Sequence, residues 1–254
     1  MRFALSLVAL FCWQSLFAQQ FDGLSEAVET GVYGDLKAMV ISRHGEIIYE
    51  DYFRETGADD LHHVFSVTKS VGSALIGIAH RKGMISLEQG LGDFFSGLYP
   101  MHQPPYLEKR SITVEHILQQ RHGVEWDELT VPYGYPGNSL YEAEASPDWY
   151  DFFLRLPMVA QPGEQFAYST IASTLMSRMI RQVSGLSPRA FAVRELFGPL
   201  GIEEIHWELF SNQGMGHGRT DWPNPDGDEP LGYGLWLKPA DMVKFGELYL
   251  RGGT

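Results

Sequence analysis

Cysteine is almost absent from this chain: among 254 residues only Cys12 carries a thiol. It lies in an apolar stretch from Phe3 to Phe17 that follows Met1-Arg2 and ends in Leu16-Phe17-Ala18-Gln19-Gln20. A charged start, an apolar run too short to span a bilayer and a small residue before polar sequence describe a secretory signal peptide, residues 1–18, cut after Ala18. An uncleaved membrane anchor would need about 20 apolar residues. Lipid attachment at Cys12 is disfavoured by the bulky Phe11 before it. Cleavage leaves residues 19–254 without cysteine, which excludes disulfides, thiol nucleophiles and cysteine-ligated metal. The mature protein is expected outside the cytoplasm, periplasmic or secreted.

Basic residues are scarce as well. With Arg2 removed, 18 Lys and Arg stand against 32 Asp and Glu, a formal charge of −14, which argues against nucleic acid or an anionic membrane as partner. No long hydrophobic run follows the signal, so no integral membrane span is expected after its removal. Repeats and low-complexity segments are lacking. So is a Gly-x-Ser-x-Gly elbow, which argues against the α/β-hydrolase arrangement. His62-His63 has no His-Glu-x-x-His context and reads as packing or loop. Asp221 to Glu229 lacks the residue order of a calcium loop and reads as a solvated acidic turn. No metal and no cofactor is expected.

What the chain does hold, 44% hydrophobic and 13% aromatic residues, is enough to bury a large core in one domain or two lobes. Ala38–Arg43 and Glu46–Phe53 read as strands joined at His44-Gly45, an early antiparallel hairpin. From Ser66 onward, Val67, Val71, Ala74, Leu75 and Ile78 recur at helical spacing up to a stop at Gly83. Ile112–Leu118 reads as a short helix capped near Ser111 or Thr113, Thr170–Val183 as a long one, Ser187–Leu196 as a third and Pro239–Leu250 as the last. Between Trp126 and Phe153 the chain is aromatic and rich in Gly and Pro, with little periodicity before Asp148. Such a stretch reads as a long irregular excursion. A hairpin followed by a helix-rich middle gives an α+β class rather than a βαβ repeat.

Ser66-Val67-Thr68-Lys69 places a hydroxyl three residues before an amine, on one face of a helix and in its first turn. There the positive end of the helix dipole favours an alkoxide or oxyanion and penalises an ammonium, so Lys69 can act as a base. The competing reading is an N-cap serine beside a solvated lysine. Pro162-Gly163-Glu164-Gln165-Phe166-Ala167-Tyr168-Ser169-Thr170 puts a phenol just ahead of another helix start, able to relay protons to a leaving group. Together with Ile112–Leu118, Leu200-Gly201-Ile202 and Lys238–Leu250, these motifs resemble the serine hydrolases of the penicillin-binding-protein and class C β-lactamase superfamily. Gly123–Glu128 and Asp148–Phe153 are similar to the branch of family VIII esterases and 6-aminohexanoate-dimer hydrolases.

The resemblance implies a β-lactamase/transpeptidase-like fold over 19–254, an antiparallel sheet with a helical lobe. It also implies an acyl-enzyme mechanism on an ester or small amide, with Ser66 as nucleophile, Lys69 as base or proton partner and Tyr168 as general acid/base. The Ser66 amide would form half of the oxyanion hole. Thr170, Trp126 and Tyr135 are the expected substrate-binding residues, although the aromatic set around Trp126 can equally be core. A non-catalytic binding protein of the same fold and a cell-wall D-alanyl-D-alanine carboxypeptidase are the alternatives. Three departures stand out. Thr170 replaces the asparagine of Tyr-x-Asn, which puts amide recognition in doubt. Gln120-Arg121-His122-Gly123 replaces Thr-x-Ser-Gly, and His122 reads as a satisfied turn histidine. No Lys-Thr-Gly or His-x-Gly occurs on a late strand before Thr254, and Gly216-His217-Gly218 reads as a turn. The late strands and one pocket wall are therefore expected to be missing, and the isolated polypeptide to be unstable and inactive.

Overall fold

The computed structural model describes residues 21, 23–209 and 229–253. The signal segment, Gly216-His217-Gly218 and all of Asp221–Glu229 but its last residue lie outside the described residues. The chain divides into two units, residues 1–62 with 237–254 and residues 63–236.

In the smaller unit, β1 (Ala38–Arg43) and β2 (Glu46–Tyr52) pair antiparallel from Ala38↔Tyr52 to Arg43↔Glu46, with one register irregularity between Ile41 and Ser42. His44 and Gly45 both take positive φ, 55° and 83°, which is the two-residue turn whose twist matches the strands it joins. Helix α1 (Leu24–Glu29) precedes the hairpin. The last helix, α9 (Pro239–Leu250), opens on Pro239, where the missing N–H costs nothing. It packs against β1, where the Ser42 hydroxyl donates to the Glu247 carboxylate.

The larger unit is built on two helices that pack on each other, α2 (Val67–Arg81) and α7 (Thr170–Ser184). Val71, Leu75 and Ile76 on the first and Ile171, Leu175 and Met179 on the second are buried. Removing each such side chain from water contributes about 1.5–3 kcal/mol. Around them lie α3 (Leu91–Phe95), a 3-10 turn at Leu107–Ser111, α4 (Val114–Leu118), α5 (Ser139–Ala145), α6 (Trp149–Arg155) and α8 (Pro188–Ala192), which runs on into a π turn at Val193–Phe197. A three-stranded sheet has the order β3-β5-β4, from His62–His63, Leu235–Leu237 and His206–Trp207.

The expected hairpin and the helices at 67, 114, 170 and 239 are present. Thr113 is the cap of α4: its hydroxyl accepts from His116 N–H at 3.2 Å and the His116 ring returns the bond to Thr113 N–H at 3.1 Å. The excursion from Trp126 is more ordered than its sequence pattern predicts. Asn138 caps α5, its carbonyl oxygen accepting from Leu140 N–H at 2.9 Å, while its amide donates to the carbonyls of Glu128 and Val131. Asp127 accepts from Leu129 and Thr130 N–H, and Ser139 Oγ accepts from Asp127 N–H. Side chains thus satisfy the backbone that a ladder would satisfy elsewhere. Among the described residues no helix is long and apolar enough to cross a membrane.

Candidate active site

Ser66 owes its position to a bend at Phe65, which sits at φ 45°, a left-handed conformation that costs a non-glycine residue about 1 kcal/mol or more. Contacts on both sides hold it there. Val64 N–H donates to Leu235 O at 2.9 Å, and the Phe65 ring meets His63 edge-on at 4.0 Å. Thr68 Oγ1 donates to Phe65 O at 2.6 Å and accepts from Leu235 N–H. The helix starts at once, with Lys69 N–H donating to Ser66 O at 3.0 Å, so the serine stands exposed at the positive end of α2.

Lys69 Nζ has three partners drawn from distant parts of the chain: Ser66 Oγ at 3.1 Å, Thr170 Oγ1 at 3.0 Å and the Gly232 carbonyl at 2.7 Å. Burial brings this amine down from its ordinary 10.5 to about 8, partly opposed by the charge of Glu128. Gly232 must be glycine for its carbonyl to come so near. A Cβ there would lie 2.4 Å from Thr170 O and 2.7 Å from Thr174 Oγ1.

Tyr168 completes the group. Its ring centroid is 4.8 Å from Lys69 Nζ and its phenol bonds to Ser66, while burial raises its pKa against the effect of that bond. The segment carrying it is tied to the end of α4 by Gln120, itself at φ 56°. Gln120 O accepts from Ala167 N–H at 2.9 Å, its side-chain oxygen accepts from Ser169 N–H, and its amide donates to Ser173 Oγ at 2.9 Å.

His122 is the turn histidine expected. Nδ1 accepts from Val124 N–H at 3.1 Å, so the proton sits on Nε2, which donates to Ala167 O at 3.1 Å. Burial lowers it from 6.5 to about 4. A base depressed in the fold penalises the folded state wherever the unfolded chain is protonated. Stability should therefore fall by about 3 kcal/mol as pH drops from 6.5 to 4. Thermal melts of the parent and of His122→Gln across that window check this: the variant should lose less, and parallel curves would clear His122 of any part.

Glu128 is the residue that sequence reasoning missed. It is buried, and its Oε2 accepts from Trp126 Nε1 and Thr170 N–H, both at 2.9 Å. Its Oε1 accepts from Thr170 Oγ1 at 2.7 Å and from Tyr133 OH at 3.4 Å. The only hint in the sequence is an acid amid aromatics; its donors lie up to 42 positions away. Trp126 is buried on this carboxylate rather than lining the cavity, and Tyr135 is exposed and also does not line it. Thr170 has its hydroxyl engaged on both sides, by Lys69 and by Glu128.

Ser66, Lys69 and Tyr168 open into a cavity of about 370 Å³ walled by Ile117, Phe166 and Met176. That is the small end of the range for ligand sites. Among the described residues no group of three or more His, Cys, Asp or Glu is placed to hold a metal.

A hydroxyl and an amine at the start of α2 and a phenol just ahead of α7 sit in a mixed helix-and-sheet fold with small antiparallel sheets, which is β-lactamase/transpeptidase-like. A family model described as Beta-lactamase matches residues 22–254, and the chain belongs to that family of hydrolases. Solved structures agree on the fold. A protein described as a 6-aminohexanoate-dimer hydrolase from Bacillus anthracis superposes with a TM-score of 0.69 at 20% identity, over 91% of this chain and 57% of its own. The octameric penicillin-binding protein homologue from Pyrococcus abyssi gives 0.64 at 19%, over 91% and 56%. EstCE1, a hydrolase with promiscuous acyltransferase activity, gives 0.68 at 16%, over 96% and 74%. The chain thus spans less than two thirds of the length of the first two. No curated protein matches the sequence significantly.

Proposed function

We propose that this chain carries the nucleophilic centre of an exported serine hydrolase that works through an acyl-enzyme, on an ester in preference to an amide. The observation that carries this is the set of three bonds at Lys69 Nζ. With two N–H groups given to Thr170 and Gly232, a neutral Lys69 points its lone pair at Ser66 Oγ. It can then accept the serine proton as Oγ attacks an acyl carbon. An amine near 8 is partly neutral at physiological pH, whereas the raised phenol of Tyr168 stays protonated. Lys69 is therefore the base and Tyr168 the acid that hands a proton to the leaving group. The Ser66 N–H at the helix start faces the developing oxyanion.

The space is small, and Ile117, Leu118, Phe166 and Met176 give it an apolar side beside Ser70, Ser73, Gln120 and Ser173, which suits a short acyl or aryl group. The Thr170 hydroxyl, held by Lys69 and Glu128, is not offered to a substrate amide, and this favours esters over β-lactams. Export rests on the first 18 residues. A fluorophosphonate probe should label the protein at Ser66 and fail on Ser66→Ala; labelling that survives the substitution removes Ser66 from the mechanism. Turnover of p-nitrophenyl esters without turnover of nitrocefin is the expected substrate pattern.

A further inference from the structure

We propose that Glu128 and Thr170 form a positioning pair that turns the lone pair of Lys69 onto the Ser66 hydroxyl; this rests on the serine hydrolase reading above. A threonine hydroxyl can donate or accept, and if it donated to Lys69 it would capture the lone pair that must face Ser66. Nothing in Thr170 itself decides between the two. Glu128 decides. Its Oε1 takes the Thr170 proton at 2.7 Å, so Thr170 Oγ1 can only accept from Lys69 Nζ at 3.0 Å. Gly232 O can only accept as well. Both N–H groups of the neutral amine are then committed, and the lone pair is left to Ser66. The carboxylate is itself fixed, because Oε2 faces two groups that only donate, Trp126 Nε1 and Thr170 N–H.

Glu128→Gln tests this with an isosteric change. The two N–H donors hold the new amide oxygen at the Oε2 position, so the NH₂ falls beside Thr170 Oγ1 and donates to it. The Thr170 proton is then released toward Lys69. Fluorophosphonate labelling of Ser66 should slow about 100-fold, and kcat for a p-nitrophenyl ester should fall with little change in KM. Thr170→Val, which cannot accept, should slow labelling to a similar degree. The double variant should be no slower than the worse single one, because the two residues act in series.

A structural role alone would not move the pH profile. The titratable groups facing Lys69 are Glu128 and Tyr168; Tyr133 and, on α5, Glu144 face Glu128 in turn. Burial and Glu128 push Glu144 up to about 8, so it is neutral below that. Removing the Glu128 charge withdraws support from the Lys69 ammonium, and the acid limb of labelling should move to lower pH. The same shift should appear without turnover, in the pH at which Lys69 becomes reactive to acetic anhydride, read by peptide mass spectrometry. Wild-type labelling rates in Glu128→Gln with an unmoved limb, or losses that multiply in the double variant, overturn the pairing. If Glu128→Gln does not fold, Thr170→Val and the Lys69 acetylation profile carry the test. Ser66→Ala separates the two failures: labelling there sinks the hydrolase reading itself, whereas a silent Ser66→Ala beside an unaffected Glu128→Gln sinks only the pairing.

Discussion

Lys69→Met is expected to lower kcat/KM for a p-nitrophenyl ester by about 10³–10⁴-fold, the loss that follows removal of a well-placed general base. Its effect on stability should run the other way near neutrality. The amine is depressed from 10.5 to about 8, so the fold favours the neutral form. Below about 8 the folded chain binds a proton against that bias, and the folded state is penalised by up to about 3 kcal/mol. The penalty fades as pH rises toward 10.5. Methionine keeps the length of the side chain and escapes the penalty, though it leaves Gly232 O and Thr170 Oγ1 without their donor. The variant's Tm minus the parent's should therefore be largest near pH 7 and shrink steadily toward pH 10. A difference that does not depend on pH would mean that Lys69 is not desolvated in the fold.

Gly232→Val should be the most damaging substitution outside the proposed nucleophile and base, Ser66 and Lys69. The added Cβ would lie 2.4 Å from the Thr170 carbonyl oxygen, 2.7 Å from Thr174 Oγ1 and 2.9 Å from Thr170 Cγ2. These atoms belong to the first turn of α7, where Thr174 Oγ1 already donates to Thr170 O at 2.9 Å. Backbone in a helix cannot retreat as the tip of a flexible side chain can, so the 232 segment must move instead. Overpacking of this kind costs about 1–3 kcal/mol, and it withdraws the carbonyl that holds Lys69. Denaturant melts should show the loss of stability, and Ser66 labelling should slow in whatever fraction still folds. A variant that labels at the parent rate would show that the Gly232 carbonyl is not needed to orient the amine.

Much of this was legible in the sequence because it is local. Ser66 and Lys69 share a helical turn, Tyr168 stands just ahead of a capped helix, and the hairpin announces itself by alternation around His44-Gly45. The face of α7 follows from Ile171, Leu175 and Met179 at intervals of four. What stayed hidden depends on contacts between distant positions. Helix α5 has only seven residues and is set by the Asn138 cap inside a Gly- and Pro-rich stretch, too short for periodicity to register. Glu128 looks like a surface acid until four donors from Trp126, Tyr133 and Thr170 close on it. Trp126 was expected at a substrate wall, yet its indole N–H is spent on that carboxylate. Nothing in the tetrad reveals that Gly232 is the third partner of Lys69.

The three partners of Lys69 Nζ lie 3, 101 and 163 positions away along the chain. Closing loops of that length is the slow part of assembling a fold, since their entropy is lost before any long-range contact repays it. Helix α2 can form early and bring the hydroxyl and amine side by side, but nothing then keeps the amine neutral or aims it. On the proposed mechanism, reactivity at Ser66 is thereby delayed until both distant segments have docked, so a nascent or partly folded chain would carry a nucleophile that is present and chemically silent.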